Sequence, residues 1–220
     1  MRVLLVDNSK PECAVFTPKL EQNLRQHASV TRASTREAVV DALHEAWDAV
    51  VLSGSSLNMS QSLSASAIAK DLMVLLRYTD VPILGVCFGM QLMAVAYGGA
   101  VGRLDACRQG AYAVRADGPL AQGRLVPFFH HQDEVTAVPP GFVADAVDAA
   151  SGTIVGMHSA ELRRYGVQYH PECSTGEAAE VLARFVACAE QLRARGAAPG
   201  IRTLRARDEV ALDVARQGLR

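Results

Sequence analysis

VPILGVCFGMQLMAVAYGG, residues 81–99, decides the reading of the whole chain. Residues 81–86 are an apolar run with Pro82 near its start and Gly85 near its end, which suits a buried strand. Residues 90–97 read as a helix that stops at Gly98 and Gly99. Between strand and helix the flanking GVCFG leaves room only for a sharp turn, and Cys87 sits on it. This is the pattern of a nucleophile elbow: a strained residue projecting from the sheet edge, with flanking glycines that let strand and helix approach closely. The helix that follows points its N-terminus at the sulfur and favours thiolate, and the Phe88 amide can donate to an oxyanion.

Outward from this segment, the first hundred residues alternate strand and helix. Residues 2–7 read as a strand, 16–27 as a helix, 29–33 as a strand, 36–46 as a helix and 49–52 as a strand. A polar loop follows over 53–62 and a helix over 65–78. Such alternation predicts an α/β fold with a mostly parallel central sheet and helices on both faces, whose functional groups lie at the carboxyl ends of the strands. From 99 to 169 the pattern changes to short strand-like runs at 111–115, 126–129, 142–146, 154–158 and 166–169, predicting a smaller antiparallel β portion. Residues 175–195 read as a helix, with Ala179, Leu182, Phe185, Val186, Ala189 and Leu192 as its buried stripe. The domain is expected over 1–195, with GAAPG (196–200) as a linker and the rest of 196–220 as a helical or mobile extension.

The composition sets limits. With 22 Lys and Arg against 23 Asp and Glu, the chain carries a formal net charge of −1 and no basic footprint for nucleic acid or an anionic membrane. No apolar run is long enough to span a bilayer, and residues 1–7 lack the pattern of a secretory signal. The five cysteines are an odd number without CxxC spacing, which argues against a disulfide framework or a zinc site and fits a reducing cytoplasm. No GxGxxG or GxxxxGK[ST] signals dinucleotide or ATP chemistry, so neither metal nor cofactor is called for.

A thiolate nucleophile needs a proton carrier, and GVQYHPE (166–172) supplies one. His170 ends an apolar run, Pro171 fixes the turn after it, and Glu172 can return to hold the imidazole. LSGS (52–55) ends another strand, where Gly54 lets the backbone approach a ligand and the neighbouring amide can serve as a second oxyanion donor. Of the adjacent His130 and His131, one is expected to be structural and one to face the site. Cys173 lacks an elbow and reads as an inert small residue, Cys107 as exposed surface within a polar loop, and Met90, Leu92, Met93 and Val95 as packing below the elbow.

LSGS, GVCFGMQ (85–91), HHQDEV (130–135) and GVQYHPE, in this order, resemble the class I (triad) glutamine amidotransferases over residues 2–195. HHQDEV and VPPG (138–141) are most similar to the GMP synthase-like subset. The resemblance implies a flavodoxin-like fold and a glutaminase in which cysteine attacks the side-chain amide of L-glutamine, ammonia leaves and water hydrolyses the γ-glutamyl thioester. It makes Cys87, His170 and Glu172 the triad and maps Gly54 and Ser55 onto the oxyanion loop. Gln91 and the loop His131, Gln132 and Asp133 map onto substrate contacts. Many relatives have a second glycine where this chain has Ser55, and His where it has Met90. The synthetase half of GMP synthase is absent, so the ammonia acceptor is expected to be a separate synthase subunit. The alternative readings are a stand-alone γ-glutamyl peptide or amide hydrolase and a silent regulatory subunit.

Overall fold

The computed structural model describes residues 1–10, 15–61, 63 and 65–195. The expected linker and extension, and Cys13, lie outside these residues. In chain order the elements begin with β1 (Arg2–Val6), α1 (Phe16–Leu24), β2 (Ser29–Ala33), α2 (Arg36–Ala42) and β3 (Ala49–Leu52). They continue with α3 (Ala65–Arg77), β4 (Ile83–Val86) and α4 (Phe88–Ala96). Seven strands follow: β5 (Ala100–Ala111), β6 (Val114–Asp117), β7 (Gln122–Leu125), β8 (Phe128–Ala137), β9 (Val143–Asp148), β10 (Ile154–Ser159) and β11 (Arg164–Val167). The last helix is α5 (Val181–Ala194).

One sheet runs in the order β2-β1-β3-β4-β11-β10-β9-β6-β7, with β8 pairing β10 and β5 off that path. The first five strands are mutually parallel and the remaining pairs antiparallel, which is the architecture expected from the sequence. Side chains alternate across the parallel strands and so divide the core in two. Val3, Leu5 and Val51 pack with Leu20 and Leu24 of α1 and with Val181, Leu182 and Phe185 of α5. Leu4, Val6, Val50 and Leu52 pack with Val39 of α2, Ile68 and Leu72 of α3, and Leu92 and Met93 of α4.

Several boundaries differ from the sequence expectation, each for a local reason. The second helix ends at Ala42 and not at 46, because the indole of Trp47 and the hydroxyl of Tyr78 both donate to the Ala42 carbonyl (2.9 and 2.8 Å) and satisfy the helix end there. The last helix starts at Val181, after a 3₁₀ turn at Gly176–Ala178. The stretch holding Cys107 is not a loop but part of β5, a strand with mostly exposed side chains and no apolar alternation to reveal it. Its register with β8 slips between Arg103 and Arg108, which bulges the strand at Cys107.

At the lower edge, Arg164 at the start of β11 is 1 % exposed. Its guanidinium donates to the carbonyls of Tyr78, Val81 and Leu162 and to the Tyr97 hydroxyl, at 2.6 to 2.9 Å. Tyr78 lies just past the C-terminus of α3, where unpaired carbonyls favour a cation. This knot fixes β11, and with it the segment that carries His170.

Candidate active site

Cys87 stands between β4 and α4 with φ 52° and ψ −107°, a sparsely populated backbone conformation that costs a side-chain-bearing residue about 1–3 kcal/mol. Neighbouring bonds hold it there: its N–H donates to Val167 O (2.8 Å), and its carbonyl accepts from the N–H groups of Met90 and Gln91. Gly85 and Gly89 make the turn possible by close approach. A Cβ on Gly85 would lie 2.5 Å from the carbonyl of Gly89, and one on Gly89 would lie 2.4 Å from Leu52 O. The helix starts at Phe88, two residues earlier than the sequence suggested, so its N-terminal amides begin immediately after the sulfur.

His170 is reached from β11 through Gln168 and Tyr169. Its N–H donates to Phe128 O (2.8 Å), and Ser174 Oγ donates to its carbonyl (2.7 Å). The 3₁₀ turn Pro171–Cys173 folds Glu172 back, and Nδ1 of His170 lies 2.8 Å from Glu172 Oε1, with both side chains buried. Cys87 Sγ donates to the carbonyl of His130 (3.8 Å), and the His170 imidazole is near enough to the sulfur to feel it electrostatically. Burial alone would push the His170 pKa down; the interactions with Cys87 and Glu172 outweigh it and raise it well above the ordinary value.

The ring of Phe16, at the start of α1, stacks on His170 with centroids 4.3 Å apart and reaches His130 at 5.5 Å. Sequence reasoning assigns Phe16 no role, because an aromatic residue opening an amphipathic helix carries no distinguishing signal. It misses Gln168 too, although that residue stands two positions before His170 on an extended segment. The Gln168 amide lies 3.6 Å from Cys87 Sγ, and its Oε1 accepts from Gln91 Nε2 (3.1 Å).

A cavity of about 180 Å³ opens on this group, lined by Phe16, Gly54, Ser55, Ser56, Asn58, Cys107, His130, His131, Gln132 and His170. Gly54 abuts both His170 and Cys87: a Cβ there would be 3.2 Å from His170 Cε1 and 3.5 Å from Cys87 Cβ. Cys107 is therefore exposed surface of a particular kind, on the cavity wall. Both His130 and His131 line the cavity, where one was expected to be structural. His131 is the more enclosed. Burial lowers its pKa to about 4, and its Nδ1 bonds the carbonyl of Asp133 (2.8 Å), so it is a neutral imidazole with Nε2 as acceptor.

Two residues expected to touch substrate do other work in this structure. Gln91 is 2 % exposed and off the cavity lining; its Nε2 donates to Asp133 O (2.7 Å) and braces Gln168. The Asp133 carboxylate accepts from Ser60 N–H (2.6 Å) and Ser60 Oγ–H (2.7 Å), latching the loop after β3 over the cavity. HHQDEV is strand and not loop, so its side chains alternate, and Asp133 turns away from Gln132.

Comparison with known proteins gives one consistent direction. The family model described as glutamine amidotransferase class-I matches residues 14–188. A glutamine-hydrolyzing GMP synthase of Thermus thermophilus is 38% identical over 113 residues, covering 49% of this chain and 22% of that protein. One subunit of the glutamine-hydrolyzing GMP synthase of Haloarcula marismortui is 40% identical over 123 residues, covering 51% of this chain and 62% of that protein. The matched part thus spans about a fifth of the former and under two thirds of the latter. A crystal structure of a proposed GMP synthase subunit from Thermoplasma acidophilum superposes with a TM-score of 0.76, over 89% of this chain and 97% of that one, at 19% identity, which shows a shared fold.

Proposed function

Because the chain belongs to the class I glutamine amidotransferase family, we propose that it hydrolyses the side-chain amide of L-glutamine and delivers the ammonia to a separate synthase subunit. The observation that carries this reading is the elbow cysteine at φ 52°, packed with His170 around Gly54, and the Nδ1 of that histidine held 2.8 Å from a buried glutamate.

Cys87 Sγ attacks the δ-carbonyl carbon of glutamine as its thiolate, with His170 carrying the proton. The oxygen that gains the electron pair is received by the Phe88 N–H at the head of α4 and by the Ser55 N–H after Gly54. His170 then gives its proton to the leaving nitrogen, the C–N bond breaks, and ammonia departs from a γ-glutamyl thioester. Water enters and loses a proton to His170; its oxygen forms the new C–O bond, and the C–S bond breaks to release glutamate. Glu172 holds the imidazole so that the same nitrogen serves both halves. The balance is glutamine plus water to glutamate plus ammonia. Neutral His131 and Gln132 on the opposite wall meet the polar end of the substrate. Support for a separate acceptor comes from the similarity to a protein named as one subunit of a GMP synthase.

The test is glutamate release from glutamine by the chain, alone and with a candidate acceptor subunit, with Cys87→Ala as control and a γ-glutamyl dipeptide run in parallel. Turnover of glutamine that vanishes in Cys87→Ala is the expected result. Preferential cleavage of the dipeptide would replace ammonia supply with γ-glutamyl peptide hydrolysis. Lack of covalent labelling of Cys87 by a glutamine-mimicking electrophile would refute both.

A further inference from the structure

We propose that Asp71, in the middle of α3 and outside the cavity, is a positioning residue that sets the orientation of the Ser55 amide through Asn8 and Ser53. It rests on the glutaminase reading for its kinetic consequence, though not for its geometry.

Asp71 is fully buried, an unusual place for a carboxylate without a cationic hydrogen-bond partner. Its Oδ1 accepts from Asn8 Nδ2 at 2.7 Å, and its Oδ2 has no hydrogen-bond partner among the described residues. Burial raises its pKa to about 6, against the Asn8 hydrogen bond and the nearby Lys70 charge. Asn8, just past β1, uses its backbone N–H to donate to Ser53 Oγ at 2.8 Å. That bond occupies a lone pair of the hydroxyl, whose own proton goes to the carbonyl of Gly54 at 3.0 Å. Ser53 is anchored in turn by its N–H to Val6 O (3.0 Å). The chain therefore runs from a buried carboxylate through two buried polar side chains to one peptide plane.

That plane is the one that matters. A trans peptide places its N–H opposite its C=O. With the Gly54 carbonyl held toward Ser53 and the buried ends of β1 and β3, the Ser55 N–H is directed the other way, toward the cavity that Ser55 lines. Gly54 has no Cβ to restrict this plane, and the loop's own bond from Leu57 N–H to Ser55 Oγ (3.1 Å) lies beyond it. A hydroxyl locked by Asn8, with Asn8 locked by Asp71, resists rotation of the plane. A surface aspartate would serve helix solubility; a fully buried one whose side-chain hydrogen bond, among the described residues, goes to Asn8 holds Asn8 in place.

The experiment compares the full chain with Asn8→Ala, Asp71→Leu and Asp71→Asn. It reads kcat and KM for glutamine, iodoacetamide alkylation of Cys87 by peptide mass spectrometry, thermal midpoint, and the Ser55 amide signal in ¹⁵N NMR. Asn8→Ala and Asp71→Leu should lower kcat by about 10- to 100-fold, somewhat less than outright loss of an oxyanion donor, with KM within about twofold. Alkylation, which forms no oxyanion, should be unchanged, and the Ser55 amide signal should shift. Asp71→Asn keeps an acceptor oxygen for Asn8 and should retain most of kcat. Unchanged kcat, or a fall matched by an equal loss of alkylation, would overturn the proposal, the second outcome marking collapse of the site. If Asp71→Leu does not fold, Asn8→Ala decides alone. If the parent releases no glutamate, the glutaminase reading fails by itself, and the Ser55 signal decides: moved in Asn8→Ala it upholds the positioning, unmoved it ends it.

Discussion

Gly89→Ala should destabilise the protein even though it places a better helix former inside α4. Neither Gly85 nor Gly89 has a positive φ, so an alanine meets no backbone penalty at either position. The obstacle is space. The new methyl would stand 2.4 Å from Leu52 O, 2.9 Å from Leu52 Cβ and 3.0 Å from Leu52 C, and Leu52 belongs to β3 in the middle of the parallel sheet. No side-chain rotation relieves a clash with backbone, so α4 must back away from the strand by about an ångström. Overpacking typically costs about 1–3 kcal/mol, and an overlap this deep against backbone belongs at the upper end, about 3 kcal/mol. Gly-to-Ala in a helix returns about 1 kcal/mol. The net loss of about 2 kcal/mol corresponds to a fall in thermal midpoint of roughly 4–8 °C for a chain of this size. Because the same shift carries Cys87 and the Phe88 N–H together away from His170 and the Gly54 loop, glutamine turnover should fall by about 100-fold. Calorimetry and initial rates check the two halves separately. Gly85→Ala opens the same gap from the other side, so the double variant should cost less than the sum of the singles. An unchanged or raised midpoint for Gly89→Ala would show that strand–helix contact is not what selects glycine here.

The raised pKa of His170 makes a pH prediction. A histidine whose folded pKa lies above its unfolded value contributes stability that is fully present below about 6.5 and is lost as pH rises through the folded value. Cys87→Ala removes one source of the rise, so the histidine NMR titration should move to lower pH and the alkaline loss in urea unfolding should shrink; a parent His170 titrating at or below about 6.5 would refute this. Asp133→Ala frees Ser60 from two hydrogen bonds to a carboxylate, each contributing about 1.5–3 kcal/mol. The loop over the cavity should loosen and KM for glutamine rise by about tenfold, measured by initial rates; an unchanged KM would deny the latch. Arg164→Met strands buried carbonyls of Tyr78, Val81 and Leu162 and should lower stability by about 3 kcal/mol, read as a shift of the urea midpoint without change of slope.

The parallel half of the sheet and the elbow were legible because their signals are local. A buried strand must be apolar, and a strand that turns into a helix at a cysteine must bring glycines with it, so residues 81–99 announce both. His170 and Glu172 were legible for the same reason, since Pro171 fixes the short turn that joins them. β5 escaped because a half-exposed strand paired chiefly to one neighbour has no alternation to read, and Cys107 was hidden with it. The hydrogen bonds of Gln91 and Asp133 were out of reach through a different limit. Resemblance assigns a residue to a site by alignment, but which polar atom a buried side chain satisfies depends on neighbours far away in sequence, here Gln168 for Gln91 and Ser60 for Asp133. Asp71 shows the limit most sharply: ASAIAKDLMVLLR reads as an amphipathic helix with one acid among apolar residues, and only the packed structure shows that acid meeting Asn8, 63 positions earlier. Local chemistry named the groups that the fold brings together. Their precision rests on pairs the sequence keeps apart, so a design that transplanted the four motifs alone would carry the nucleophile and its base but leave the Ser55 amide free to turn.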